Sequence, residues 1–254
     1  MFWRKPVFTT LALMFASLAT ADNGVWHTMD APDNIKYMDD IAIGYDAYNS
    51  RFIFIADSSE SGSTVRSSDD GTTWQIIDSR NTWEVETSWD FANITAIIPG
   101  GDIGCWISYN ANDQEPENVD FHEINGNLNE SNIVRLEFVQ STITSPDDDE
   151  FAAYIARGDL YSGGRDLIYK TVDGGQTWES LPADIPPYSI IWDLKIYQPE
   201  PDIVVCGGQI DFDDLGVFRT TNGGEDWNQI VDNSTFGATG GGDRYGIGDA
   251  DERL

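Results

Sequence analysis

Histidine and cysteine are almost missing from this 254-residue chain, two of each. Cys105 and Cys206 lie in separate strand-like runs, Gly-Cys-Trp-Ile-Ser and Val-Val-Cys-Gly-Gly. That leaves no ligand set for a structural zinc site, and the two cysteines read as buried free thiols rather than a disulfide. Lysine is also scarce: after residue 21 only Lys36, Lys170 and Lys195 remain. Forty-four acidic residues face fourteen basic ones, a formal charge of −30. Such a surface repels phosphates, which excludes nucleic acid as a partner. Beyond the first twenty residues no apolar run approaches bilayer-spanning length, and no amphipathic helix of ordinary length stands out. Disorder is excluded too, because 40% of residues are hydrophobic and 12% aromatic.

The N-terminus reads as a secretory leader over residues 1–21. Arg4 and Lys5 precede a mostly apolar Val7–Ala19 stretch and a small-x-small site at Ala19-Thr20-Ala21. The expected mature chain begins near Asp22 with 44 acids against 12 bases, or −32. It is destined for secretion, the periplasm or the cell surface.

What the chain does have is a repeat. Ser67-x-Asp69-x-Gly71-x-Thr73-Trp74, Thr171-x-Asp173-x-Gly175-x-Thr177-Trp178 and Thr220-x-Asn222-x-Gly224-x-Asp226-Trp227 share one pattern, each followed by a short strand-like run. Asp or Asn holds a turn by bonding backbone N–H groups downstream. Gly supplies a positive φ, and Trp opens the next strand with a large apolar surface to bury. The pattern predicts a hairpin turn. The intervals between the three Trp, 104 and 49 residues, imply one repeat of about fifty residues whose signature is lost.

These motifs resemble the Asp-box, or BNR repeat, found in sialidases, sortilin-type receptors, xyloglucanases and photosystem II assembly factors. The resemblance implies an all-β fold, a β-propeller of four-stranded antiparallel blades in which each box joins the third and fourth strands. It also implies that the box residues are structural, lying on the rim away from the binding face. Four blades are visible, at roughly 37–78, 90–131, 133–182 and 190–232, which together with residues 22–36 make up the propeller domain 22–232. Residues 24–30 read as an outer closing strand, and 233–254 as a Gly-rich tail or the start of a further blade. Because propellers of this family have six to eight blades, the chain reads as an incomplete part of a larger one.

Two spacings support the template: Asp40 lies 34 residues before Trp74, and Asp193 lies 34 before Trp227. In the second repeat Asn93 heads the expected inner strand, and Asn125-Gly-Asn127 stands where the box should be.

Ligands of propellers usually meet the face where inner strands enter the channel. There the template places Asp40, Asn93, Arg135 and Asp193, with the aromatic–acid pairs Trp89-Asp90 and Trp192-Asp193 suited to stacking a sugar and bonding its hydroxyls. No cofactor or metal is expected. The acidic runs Asp147-Asp148-Asp149 and Asp211, Asp213, Asp214 offer oxygen ligands for calcium but lack a specific loop spacing. Asn93, Asn129 and Asn233 begin glycosylation sequons.

Two functions compete. One is an exported, non-enzymatic binding or scaffold module with a glycan or protein partner. The other is a glycoside hydrolase of sialidase or xyloglucanase type. Sialidases carry a Phe/Tyr-Arg-Ile/Leu-Pro motif, and here the only Arg-x-Pro is Arg4-Lys5-Pro6, inside the leader. Carboxylates are plentiful, but abundance does not place two of them across a glycosidic bond. The balance favours binding.

Overall fold

The computed structural model describes residues 14–16, 26–28, 35–46, 48–59, 62–87, 95–100, 104–128, 133–139, 151–157, 167–181, 185–186, 189–210 and 214–232. Two short strands, β1 (Met14–Ala16) and β2 (Trp26–Thr28), pair with each other in a separate sheet. The segment expected to close a blade therefore pairs instead with an apolar piece of the expected leader. Trp89, Asp90, Asn93, the acidic runs at 147–149 and 211–213, the sequon asparagines Asn129 and Asn233, and the tail 233–254 lie outside the described residues.

The remaining sixteen strands form four antiparallel four-stranded sheets. The first blade is β3 (Asp40–Tyr45), β4 (Arg51–Ala56), β5 (Thr64–Ser67) and β6 (Gln75–Asp78). The second is β7 (Glu86–Thr87), β8 (Ala96–Gly100), β9 (Gly104–Ser108) and β10 (His122–Glu123). The third is β11 (Ile133–Phe138), β12 (Ala153–Arg157), β13 (Ile168–Thr171) and β14 (Glu179–Ser180). The fourth is β15 (Ile190–Ile196), β16 (Val204–Ile210), β17 (Asp214–Thr220) and β18 (Asn228–Val231). The only helix among the described residues is a single 3-10 turn, Pro116–Asn118.

The core lies between blades, as three apolar layers. Phe52, Phe54, Ala56 and Ile77 meet Val85, Ala96, Ile98 and Phe121. Ile97, Cys105 and Ile124 meet Leu136, Phe138, Ile155 and Trp178. Tyr154, Ile168 and Leu181 meet Leu194, Cys206, Phe218 and Trp227. Strand alternation makes this possible, because each middle strand sends successive side chains to opposite neighbours. Both cysteines are free and buried.

The three Asp-boxes have one geometry. Asp69 Oδ1 accepts from the Thr73 amide at 2.8 Å and from the Ser67 hydroxyl at 2.8 Å, while the Thr73 hydroxyl donates to Oδ2 at 2.6 Å. Asp173 repeats these bonds with Thr177 and Thr171 at the same distances. In the third box Asn222 keeps the acceptor side, taking the Asp226 amide at 3.1 Å, and its own amide donates to Asp226 Oδ2 at 3.0 Å. The reversed polarity explains why Asn and Asp replace Asp and Thr together.

The lost signature of the second blade is also found, and it corrects the sequence reading. Ser108 Oγ donates to Asn110 Oδ1 at 3.0 Å, and Oδ1 accepts the Asp120 amide at 3.2 Å. Ser108, Asn110, Asp120 and Phe121 thus stand where Ser67, Asp69, Thr73 and Trp74 stand in the first box. Nine residues, 111–119, occupy the place of three. Asn125-Gly-Asn127 is no substitute box: it follows β10, and Asn127 clamps the box of the third blade by bonding the Trp178 amide at 2.6 Å and carbonyl at 3.0 Å.

Candidate functional site

The inner strands β3, β7, β11 and β15 adjoin in sequence around the axis. Along β11 the residues Arg135 and Glu137 are two apart, as are Asp193 and Lys195 along β15, so each pair projects from one side of its strand. This brings Asp40, Glu84, Glu86, Arg135, Glu137, Asp193 and Lys195 into one electrostatically coupled group.

Within it, carboxylates stitch each blade to the next. Asp40 Oδ2 of the first blade accepts the Val85 amide of the second at 3.1 Å. Glu84, just before β7 and only 2% exposed, accepts the Leu136 amide of the third. Glu137 of the third is bonded by the Lys195 ammonium of the fourth. Asp193 lies 3.9 Å from Arg135 Nε and 4.0 Å from Lys195 Nζ. Asp193 Oδ1 also accepts the Leu194 amide at 3.0 Å, so backbone and lysine donors occupy four of the five acids. Glu86 is the exception: half-buried, it meets only charges among the described residues.

The protonation of this group follows from its burial. Desolvation pushes Glu86 up to about 8, with the neighbouring Glu137 and Asp40 charges adding to the rise and Lys195 opposing it. Glu84 is raised well above the carboxylate range, chiefly by complete burial. Asp40 and Glu137 are raised for the same reason, against their donors. Lys195 loses to desolvation but gains more from Glu137 and the other acids, so its ammonium is held above the ordinary lysine value.

Of the sequence-predicted residues, Asp40, Arg135 and Asp193 converge here. Asp40 does head β3, whereas Arg135 and Asp193 lie inside their strands. Trp192 sits at the bulge between Ile191 and Asp193, beside the group, and is half exposed. The inner strand of the second blade is not headed by Asn93: it is Glu86–Thr87, and the run after Asn93 supplies the second strand. Sequence reading missed Glu84, Glu86, Glu137 and Lys195. A two-residue polar strand leaves no hydrophobic pattern, although the i, i+2 acids of Glu84-Val-Glu86 and the Arg135-x-Glu137 and Asp193-x-Lys195 pairs are visible signals. Asp214, from the second acidic run, opens β17 as an exposed residue.

Away from the axis, the insertion in the second box forms a polar hollow of about 470 Å³ lined by Asn110, Asn112, Asp113, Gln114 and Glu115. Among the described residues no three of His, Cys, Asp and Glu are grouped as metal ligands. None of their helices is long and apolar enough to cross a membrane.

Comparison with known proteins places this arrangement. An ancestral GH74 enzyme superposes with a TM-score of 0.53 at 18% identity, over 76% of this chain and 24% of its own. This is a β-propeller fold. YCF48 bound to D1 peptide gives 0.46 at 14% identity, over 81% and 56%. The sialidase of Trypanosoma rangeli gives 0.38 at 12%, over 86% and 40%. The chain spans between about a quarter and just over half the length of these propellers. No protein-family model and no curated protein matches it.

Proposed function

We propose that this chain is an exported, non-enzymatic binding propeller that meets a glycan or protein partner at the channel face. The observation that supports this is the use of its channel acids. Asp40, Glu84 and Glu137 are committed to bonds between blades, and Asp193 lies beside two cations. A glycosidase needs one protonated and one ionised carboxyl facing each other across an open cleft. Here the acids are structural ties, while Trp192 and Asp193 remain accessible for stacking and hydrogen bonding.

Glu86 supports a second reading. An acid raised to about 8 with no hydrogen-bond donor to its carboxyl among the described residues is suited to general acid catalysis, which keeps a glycoside hydrolase as the alternative. A polysaccharide panel separates the two. Binding readings expect retention of a glycan or peptide without turnover, reduced at least tenfold in Trp192→Ala and Asp193→Asn. Turnover by the wild type that disappears in Glu86→Gln would overturn the non-enzymatic reading. Export predicts a mature N-terminus near Asp22, read by mass spectrometry of the secreted protein.

A further inference from the structure

Three large side chains stand exposed where the first two inner strands begin. Tyr37 is 57%, Met38 36% and Trp83 36% exposed. Tyr37 and Met38 precede β3, and Trp83 precedes β7. One buried residue, Asp57, holds both segments. Its carboxylate accepts the Lys36 amide at 3.0 Å and the Tyr37 amide at 3.2 Å, while its carbonyl accepts the Thr82 amide at 3.3 Å. Tyr37 and the residue before Trp83 are thereby tied to the same point.

Trp83 is the outward member of an otherwise buried run, for Thr82, Glu84 and Val85 are all buried. The Thr82 hydroxyl meets that of Thr64 at 3.2 Å. Glu84 accepts the Leu136 amide of the third blade, and the Val85 amide donates to Asp40 of the first at 3.1 Å. A backbone fixed on both sides of Trp83 presents a large amphipathic ring at little cost in conformational entropy on binding. Exposed apolar surface on so firm a support marks a contact site.

The same arrangement recurs in the fourth blade. Trp83 directly precedes Glu84, as Trp192 directly precedes Asp193. Glu84 reaches the Leu136 amide, and Arg135, the residue before Leu136, lies 3.9 Å through Nε from Asp193. Two exposed tryptophans, each beside a channel acid, thus stand on either side of Arg135.

A ligand that stacks at two separated points and hydrogen-bonds between them is a chain of sugar rings. Their C–H faces pack on indoles, and their hydroxyls donate to carboxylates such as exposed Asp193. The nearby cations already face acids, Arg135 against Asp193 and Lys195 against Glu137. An anionic sugar is therefore repelled, and the chain is uncharged. A peptide fits less well, because its anchoring side chains fill buried apolar pockets, whereas these aromatic residues are exposed.

We infer that Trp83, beside Tyr37, is a second stacking position for the channel-face ligand, and that this ligand is an uncharged polysaccharide lying from Trp83 to Trp192. The inference rests on the binding reading of the channel face and adds to it a second platform and a ligand class.

Affinity electrophoresis of the full-length secreted protein tests this. The gels contain hydroxyethylcellulose, galactomannan, laminarin or soluble starch, with polygalacturonate as the anionic polymer. The expected result is retardation by at least one neutral polymer and none by polygalacturonate. Affinity should fall about tenfold in Trp83→Ala, with circular dichroism unchanged, and return in Trp83→Phe, which keeps a ring. Retardation lost in Trp192→Ala but unchanged in Trp83→Ala overturns the second platform and leaves the channel-face reading standing. Equal retardation by polygalacturonate overturns the ligand class. No retardation of the wild type by any polymer overturns the inference together with the glycan half of the binding reading. Binding of poly-L-proline that is lost in Trp83→Ala would assign the platform to a peptide and overturn the glycan.

Discussion

A single side chain can keep a turn while reversing the direction of its bonds. In the regular boxes a carboxylate accepts from a hydroxyl; around Asn222 an amide donates to a carboxylate. Partial burial of Asp69 and Asp173 works against their charged forms, but bonds from Thr73 and Ser67, and from Thr177 and Thr171, outweigh it and hold both carboxyls below the ordinary range. Their contribution to stability is therefore present above the ordinary aspartate value and is lost as pH falls through the lowered one. Substituting Asn222→Asp sets two carboxylates against each other, at the cost of the amide bond. The expected loss is about 1 kcal/mol, a Tm lower by about 2–4 °C. Adding Asp226→Thr rebuilds the regular box and should recover the Tm; failure to recover would show that the coupled swap is not what holds this turn.

Strands of this molecule are short, and their ties matter more than their ladders. The inner strand of the second blade has two residues, yet it is fixed by Asp40 on one side of it and by Glu84 reaching Leu136 on the other. Burying those acids has a consequence for pH. Glu86 and Glu84 keep their protons in the folded chain at pH values where the unfolded chain has lost them. Stability must then fall as pH rises from the ordinary glutamate value near 4.5 toward about 8. Denaturant titrations between pH 5 and 8.5 should show this decline, and Glu86→Gln should make it shallower. A wild-type profile already flat over that range would mean that Glu86 is ionised in the channel.

At the scale of the whole molecule, blades share their cores, so no blade holds its apolar faces alone. Burial raises the Cys206 thiol to about 12, and burial with the Glu84 charge raises Cys105 further. Neither thiol is a nucleophile in the folded chain. Both should resist a thiol reagent under native conditions and become reactive together as denaturant is raised, since the second and fourth blades are joined through the third. Separate labelling of Cys206 well before Cys105 would indicate that the fourth blade opens by itself.

The box repeat by itself determined the fold class, the strand–turn–strand unit and the structural role of its residues, because those follow from local bonds within eight residues. It also located Asp40 and Asp193, through equal spacing to the box, and Arg135, through the same strand template with an insertion. The interrupted box at Ser108 to Phe121 was hidden because six extra residues break the spacing while the hydrogen bonds survive. Only the tertiary structure decided that Glu84, Glu86, Glu137 and Lys195 share one site. Their meeting depends on inner strands from different blades converging on an axis, a long-range relation that no local pattern encodes. The same holds for Ile230: its sequence position equals that of Leu181, and only the neighbouring sheet makes one buried and the other exposed.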